Sequence, residues 1–419
     1  MFEVCLFDLD QTLVETEDMK ELRESGKGRD DARYVEEVVK AFKKKTRADR
    51  LIYAETLLAE IREKFPNMKL GVFTRSPKSY AQAILDNAYP SLNWDVVVAY
   101  EDVEHTKPYG EGIDKAMWSF GLQNISKVVL VGDGDADVRA AYNAGCVVIL
   151  DKSTWAARNN PDNWRALGRI PDAVISSPRD IIDVLSGYCK YLPELERLLS
   201  GEIERAGASR FDKINKFIPK GVGGDSTAFP IYCCGRSFAG YKSLEWRKKW
   251  HLLTHSIHDQ KDADVFPDEW IEAVRTFIST QFWTLGLGGS LLVSVVPHRP
   301  GRKPRLEAFL SQLEDSYRQS PLKGKGKLEF LPDLLAYKAG VLSNSNDKLS
   351  ATERFENIRD HLFLQRKSAA EDGGRFLIID DVATTGSSLI YAKKSLTEAG
   401  ANEVVCLSIA MNVSNVLYD

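Results

Sequence analysis

The stretch EVCLFDLDQT, residues 3–12, decides how the front half of the chain is read. Five largely apolar, β-prone residues run straight into Asp8, Asp10 and Thr12, so a buried strand ends abruptly in acids. Ligands of open α/β sheets bind at the carboxyl ends of strands. Paired acids in that position are costly unless a metal or a reaction uses them. Working outward, similar apolar runs recur at Glu3–Phe7, Lys69–Phe73, Val96–Ala99, Lys127–Val131, Cys146–Leu150 and Asp172–Ile175, separated by helical patterns. A second series follows at Leu291–Val296, Phe330–Leu335, Phe376–Ile379 and Glu403–Ile409. Alternation of this kind predicts two α/β domains, each built on a doubly wound parallel sheet.

The boundary falls in residues 201–225, a stretch without strong periodicity that includes GASR and most of PKGVGGDST. Residues 1–200 form the first expected domain, 201–225 a linker and 226–419 the second domain. Ser177–Leu199 reads as one closing helix of the first domain. Residues 15–68, rich in Glu, Lys, Arg and Ala, form a helical insert between the first two strands. Two readings of the insert stand side by side: ordinary solvated helices, or a lid over the end of the first strand.

Composition narrows the class. The chain has 419 residues, 43% hydrophobic and 28% charged, which suits two packed cores rather than disorder. Lys and Arg number 56 against 60 Asp and Glu, so net charge gives no pull toward nucleic acid or anionic membrane. The six cysteines are scattered without C-x-x-C spacing, which reads as reduced thiols and a cytoplasmic location. No apolar run is long enough to span a membrane, and the N-terminus does not read as a signal peptide.

Further polar groups converge on the rim that Asp8 marks. The second strand ends in VFTRS, giving Thr74; HTKP gives Lys107; the fourth strand ends in VGDGDADVRAA, giving Asp133, Asp135 and Asp137. Together these motifs resemble, in order, the four motifs of the haloacid dehalogenase superfamily, over roughly residues 1–200. The resemblance implies a Rossmann-like domain with a small helical cap. It implies Asp8 as the nucleophile that forms an aspartyl-phosphate and Asp10 as the acid/base. Thr74 would bind the phosphoryl oxygens and Lys107 would balance charge. Mg2+ would be held by Asp8, the backbone carbonyl of Asp10 and Asp133, with Asp137 in support. Asp135 reads as a solvated loop residue, with a second metal ligand as the alternative. A small phosphorylated molecule is the implied substrate.

FLIIDDVATTGSS, residues 376–388, carries the second signal. An apolar strand delivers Asp380 and Asp381, and the turn Thr384, Thr385, Gly386, Ser387, Ser388 opens a helix, where backbone N–H groups can cradle a phosphate. This resembles the phosphoribosyl pyrophosphate (PRPP) motif of type I, ComF-like phosphoribosyltransferases, over about residues 226–419. It implies Asp380 and Asp381 on ribose hydroxyls, residues 384–388 on a 5′-phosphate, His298 and Arg299 near a diphosphate, and Arg354 at the rim. A bifunctional phosphatase and phosphoribosyltransferase follows as the leading expectation. Two alternatives stay open: a phosphatase regulated by a PRPP- or nucleotide-sensing module, and a nucleic-acid end phosphatase, the latter not favoured.

Several weaker features read as structural. His251, His255 and His258 have helical spacing on a polar face, and KGKGK (323–327) reads as a solvated turn. Gly286, Gly288 and Gly289 precede a strand instead of following one, so they do not form a dinucleotide loop. Trp155 and Trp164 read as fillers of core or interdomain gaps.

Overall fold

The computed structural model describes residues 1–155, 161–217, 228–342, 349–371 and 373–417. They form two compact units. The first comprises Met1–Tyr191, Phe238–His251 and the described part of Ser414–Asp419; the second comprises Leu192–Ser237 and Leu252–Val413. PKGVGGDST (219–227) and residues 343–348 lie outside the described residues. No helix among the described residues is long and apolar enough to cross a membrane.

The first unit is organised by a six-stranded parallel sheet: β1 Val4–Phe7, β2 Lys69–Phe73, β3 Val96–Val98, β4 Val128–Gly132, β5 Val147–Asp151 and β6 Ala173–Ile175. Each expected strand of this half is present within a residue or two. The spatial order is β3-β2-β1-β4-β5-β6. Every residue of β1, β4 and β5 is buried, because helices cover both faces; this is why these strands read as unbroken apolar runs. The order reverses between β1 and β4, so a crevice opens at their carboxyl ends. Phe7 pairs with Val131, and the Asp8 N–H donates to the Val131 carbonyl at 2.8 Å, which brings Asp8 and Asp133 to the two sides of that crevice.

The insert folds into four short helices: α1 Lys20–Glu24, α2 Ala32–Phe42, α3 Arg47–Arg50 and α4 Glu55–Lys64. Asp31 caps α2 by accepting from the Tyr34 N–H at 2.9 Å, and Thr46 caps α3. Tyr34, Val38 and Phe42 share one face of α2 at i, i+4, i+8 and are buried; α2 packs on α5, Lys78–Ala88. Arg50, fully buried, ties the insert together. It donates to the carbonyls of Ala41, Phe42 and Glu15 and pairs with both oxygens of Asp18.

Ser177–Leu199 is not one helix. It breaks into Pro178–Asp180, Ile181–Ser186, Tyr188–Tyr191 and Glu194–Leu199, interrupted by Gly187 and Pro193. Residues 238–251 also belong to the first unit. There Arg247 is buried, donates to the Cys146 carbonyl at 2.6 Å, pairs with Asp172 and stacks on Trp250. His251 precedes the helix Leu252–Asp259 and packs edge-on against Phe238, so the three histidines do not share one helical face.

The second unit corrects the expectation of a wholly parallel sheet. Its strands are β7 Asp212–Phe217, β8 Phe229–Cys233, β9 Arg236–Phe238, β10 Ser290–Val295, β11 Lys327–Phe330, β14 Arg375–Ala383 and β15 Glu403–Val413; a separate antiparallel pair joins β12 Leu335–Tyr337 to β13 Leu362–Leu364. The main order is β11-β10-β14-β15-β8-β7, with β9 also on β15. The pairs from β11 through β8 are parallel, but β7 runs antiparallel to β8, making the sheet mixed. Strand β7 lies inside the stretch expected to be linker. Its sequence DKINKF is that of an edge strand, polar and weakly apolar, and Pro230 falls in the irregular register between β7 and β8; neither strand therefore carried a clear pattern. The expected strand Phe330–Leu335 is split at Pro332, with β11 ending before it and β12 starting after it. KGKGK is an exposed bend, as expected, anchored where the Lys325 and Lys327 N–H groups donate to the Gly286 and Gly289 carbonyls.

Candidate active site

Asp8 follows β1 directly, and Asp133 and Asp137 sit between β4 and the first turn of the helix Asp135–Ala144. Carboxylate oxygens of Asp8, Asp133 and Asp137 lie within 4.8 Å of one another. The approach is close enough that residue 132 has to be glycine: a Cβ there would stand 2.2 Å from Asp137 Cγ. The Asp137 carboxylate also accepts from the Gly134 N–H at 3.1 Å, holding the turn.

Lys107 is buried and inserts its ammonium between two of these acids, 2.5 Å from Asp8 Oδ1 and 2.7 Å from Asp137 Oδ1. Burial alone would pull the ammonium pKa down, but Asp137 and Asp8 outweigh it and the net displacement is upward. Burial pushes the Asp8 carboxyl up, Lys107 pulls it down, and Asp137 and Asp10 push it up again, to about 6. Asp133 is driven well above the usual carboxylate range by burial and by its neighbours Asp137 and Asp8. Three converging carboxylates against one lysine leave an excess of negative charge and a set of hard oxygen donors. That donor set fits a divalent cation such as Mg2+.

Asp10 faces elsewhere. Its carboxylate accepts from Thr16 Oγ1 at 2.6 Å, Ser76 Oγ at 2.5 Å and Tyr80 OH at 3.2 Å, and pairs with Arg23 Nη1 at 3.1 Å. Its side chain is therefore not a member of the carboxylate cluster. Gln11, next in line, has φ 62°, a left-handed conformation that a side chain rarely adopts, in the turn that separates Asp10 from the following bend. Thr74, 1% exposed, accepts from the Ser76 N–H at 3.1 Å and lines the same cavity. That cavity, about 740 Å3, is bounded by Asp8, Asp10, Lys107 and Asp133 on the sheet side and by Lys20, Arg23 and Lys27 of the insert. Part of the insert is thus lid-like, while α2 is ordinary packing.

Sequence reasoning missed the shell around these acids. Trp155 is not a gap filler: its indole N–H donates to the Asp133 carbonyl at 3.0 Å. Asp135 is not simply solvated, since it pairs with Arg139 at 3.4 Å and Arg169 at 3.1 Å. Trp164 is 52% exposed and fills no gap. Ser76 was within reach of the sequence, in VFTRS beside Thr74. Thr16, Tyr80 and Arg23 carried no signal, because nothing local marks a residue that meets Asp10 only after folding.

In the second unit, β14 runs through Asp380 and Asp381 to Ala383 instead of stopping before them. Burial pushes the Asp380 carboxyl up to about 7 against the pull of Arg305 and Arg299. Arg305 forms an ion pair with Asp381. Gly386, φ 69°, precedes the helix Ser387–Glu398; Thr385 Oγ1 donates to Ser387 Oγ at 3.2 Å, and Tyr337 OH lies 3.2 Å from Ser388 Oγ. Thr384, beside them, is exposed. His298 does not reach this group: its backbone N–H and its Nδ1 are both 2.8 Å from Glu307 Oε1. Arg354 is likewise held by its own loop, donating to the Leu349 carbonyl at 3.0 Å.

Comparison with known proteins bears on the first unit. Residues 18–150 match the family model of the haloacid dehalogenase-like hydrolases. The chain is 27% identical over 160 residues to a pyrophosphatase PpaX of Bacillus mycoides, covering 37% of this chain and 72% of the relative. A PpaX of Bacillus cereus is 27% identical over 133 residues, 32% of this chain and 59% of the relative, so the match spans less than two thirds of that protein. Among solved structures, a β-phosphoglucomutase of Clostridium difficile aligns at 17% identity and TM-score 0.34, over 46% of this chain and 99% of the other. A haloacid dehalogenase-superfamily hydrolase of Geobacter sulfurreducens aligns at 18% identity and TM-score 0.29, over 44% and 100%. With its motifs, its parallel sheet and this family match, the amino-terminal part of the chain is a haloacid dehalogenase-like domain.

Proposed function

We propose that this domain, within residues 1–200, is a Mg2+-dependent phosphohydrolase working through an aspartyl-phosphate on Asp8. The observation that carries the reading is the convergence of Asp8, Asp133, Asp137 and Lys107 at the point where the strand order reverses. An Asp8 oxygen attacks phosphorus, the bond from phosphorus to the leaving oxygen breaks, and Asp10 protonates that oxygen. Asp10 then takes a proton from water as water attacks the aspartyl-phosphate, which returns Asp8 and releases phosphate. Thr74 holds phosphoryl oxygens and Lys107 balances their charge against Asp8. Asp8, Asp133 and the Asp10 carbonyl, with Asp137 behind them, would hold Mg2+, which would supply the positive charge a carboxylate needs to approach a phosphoryl dianion. The PpaX relatives make inorganic pyrophosphate and small phosphate esters the substrates to try first. Phosphate release from these probes with Mg2+, by wild type and Asp8→Asn, tests the reading: activity retained in Asp8→Asn sinks it.

A second reading concerns residues 226–419. The half-buried acids Asp380 and Asp381, the latter paired with Arg305, next to a left-handed Gly386 that opens a helix, favour a sugar-phosphate site of the phosphoribosyltransferase kind. PRPP with Mg2+ is the probe. Calorimetric binding that weakens in Asp381→Asn supports a PRPP site, and pyrophosphate release with a base acceptor distinguishes a transferase from a sensing module. No heat of binding at millimolar PRPP removes both.

A further inference from the structure

Arg23 stands out in the insert because the group it touches does not need it. The Asp10 carboxylate already accepts three hydroxyl hydrogen bonds, from Thr16, Ser76 and Tyr80. Two carboxylate oxygens offer about four acceptor sites, so these donors nearly satisfy them. Arg23 nevertheless brings Nη1 to 3.1 Å from Asp10 Oδ1 while remaining 24% exposed. Its side chain lines the 740 Å3 cavity together with Lys20 and Lys27, three and four residues to either side. Lys27 rests over the Tyr100 ring at 4.4 Å, and Glu17 and Glu24 share the wall, so the insert presents a small excess of positive charge. A guanidinium has five donors in a planar fork that matches carboxylate and phosphate oxygens. One contact with Asp10 uses a single nitrogen of that fork, and Arg23 lines the cavity where an anionic ligand could meet its other donors.

Position decides what the fork would meet. In the reading proposed above, Asp10 protonates the leaving oxygen, so a cation at 3.1 Å from Asp10 stands on the leaving-group side of the phosphoryl group, whereas Lys107 is paired with the nucleophile Asp8. We infer that Arg23 is a specificity-determining residue that binds a second anionic group on the leaving side of the substrate. The site then selects phosphate esters or anhydrides whose departing portion carries its own phosphate or carboxylate. The inference rests on the phosphohydrolase reading and adds the substrate class to it.

The test is steady-state kinetics of the full chain with Mg2+ on three probes: inorganic pyrophosphate, phosphoglycolate, and phenyl phosphate, whose leaving group is neutral. Arg23→Met should lower kcat/KM for pyrophosphate or phosphoglycolate about 10- to 100-fold more than for phenyl phosphate, with the excess loss in KM. The two anionic probes separate a phosphate from a carboxylate as the second group. Arg23→Lys should recover part of the discrimination, and Arg33→Met, an exposed change on α2, should leave all three probes unchanged. If Arg23→Met does not melt cooperatively, Arg23→Gln replaces it. Equal losses on all three probes, or no recovery in Arg23→Lys, overturn the inference while Asp8→Asn still abolishes turnover. If wild type hydrolyses none of the probes, or Asp8→Asn stays active, the phosphohydrolase reading itself falls and takes this inference with it.

Discussion

The ammonium of Lys107 lies 2.5 Å from Asp8 Oδ1, joining a loop after β3 to the end of β1 across 99 residues of sequence. Each partner displaces the other's titration, and neither charge would be tolerated alone at that depth. Lys107→Met should therefore cut kcat by about 100- to 1,000-fold, the range seen when one fixed donor to a developing charge is removed. Phosphate release at saturating substrate reads this directly.

Trp155 acts on the same cluster from behind, through its indole N–H on the Asp133 carbonyl. Trp155→Phe keeps the ring and deletes the donor. The Mg2+ concentration for half-maximal activity should rise about 10- to 100-fold, while kcat at saturating Mg2+ changes far less. A Mg2+ titration of activity separates the two effects.

Asp114, on the helix Glu111–Ser119, is raised to about 6, first by burial and then by Glu111. A folded-state value above the unfolded one means the native protein holds the proton more tightly. The stabilisation is fully present below the unfolded value near 4 and is lost as pH rises through about 6. Asp114→Asn should thus raise stability by about 1 kcal/mol at pH 7.5, discounted for partial solvent screening, and make almost no difference near pH 4. Thermal melts at the two pH values check both the size and the sign.

Arg50 ties the insert together through three carbonyls and Asp18. Its hydrogen bond also holds the Asp18 carboxyl below the usual range. Arg50→Met would orphan the buried carbonyls and should cost about 2–4 kcal/mol, visible as a lower denaturant midpoint.

How far the sequence could be read differs between the two halves for a physical reason. The first sheet is buried on both faces, so its strands are apolar throughout and their ends are marked by acids, hydroxyls and a lysine; Asp8, Thr74, Lys107, Asp133 and Asp137 were all legible. Strand β7 is an edge with lysines and an aspartate, and β8 contains Pro230, so the mixed character of the second sheet carried no periodic signal. His298 looked available for a ligand, yet Glu307, nine residues on, takes it.

The class of chemistry expected at the first site is legible in local pattern, because a carboxylate cluster at strand ends needs residues of fixed type at fixed distance from apolar runs. Which groups surround Asp10 depends on how distant segments fold together. Ser76 and Tyr80 meet it from 66 and 70 residues away, and Arg23 meets it through the fold of the insert. The same holds for residues 238–251, which close onto the first unit through Arg247 and Asp172, 75 positions apart. Local pattern records what each segment must bury; it does not record which distant polar group will satisfy it.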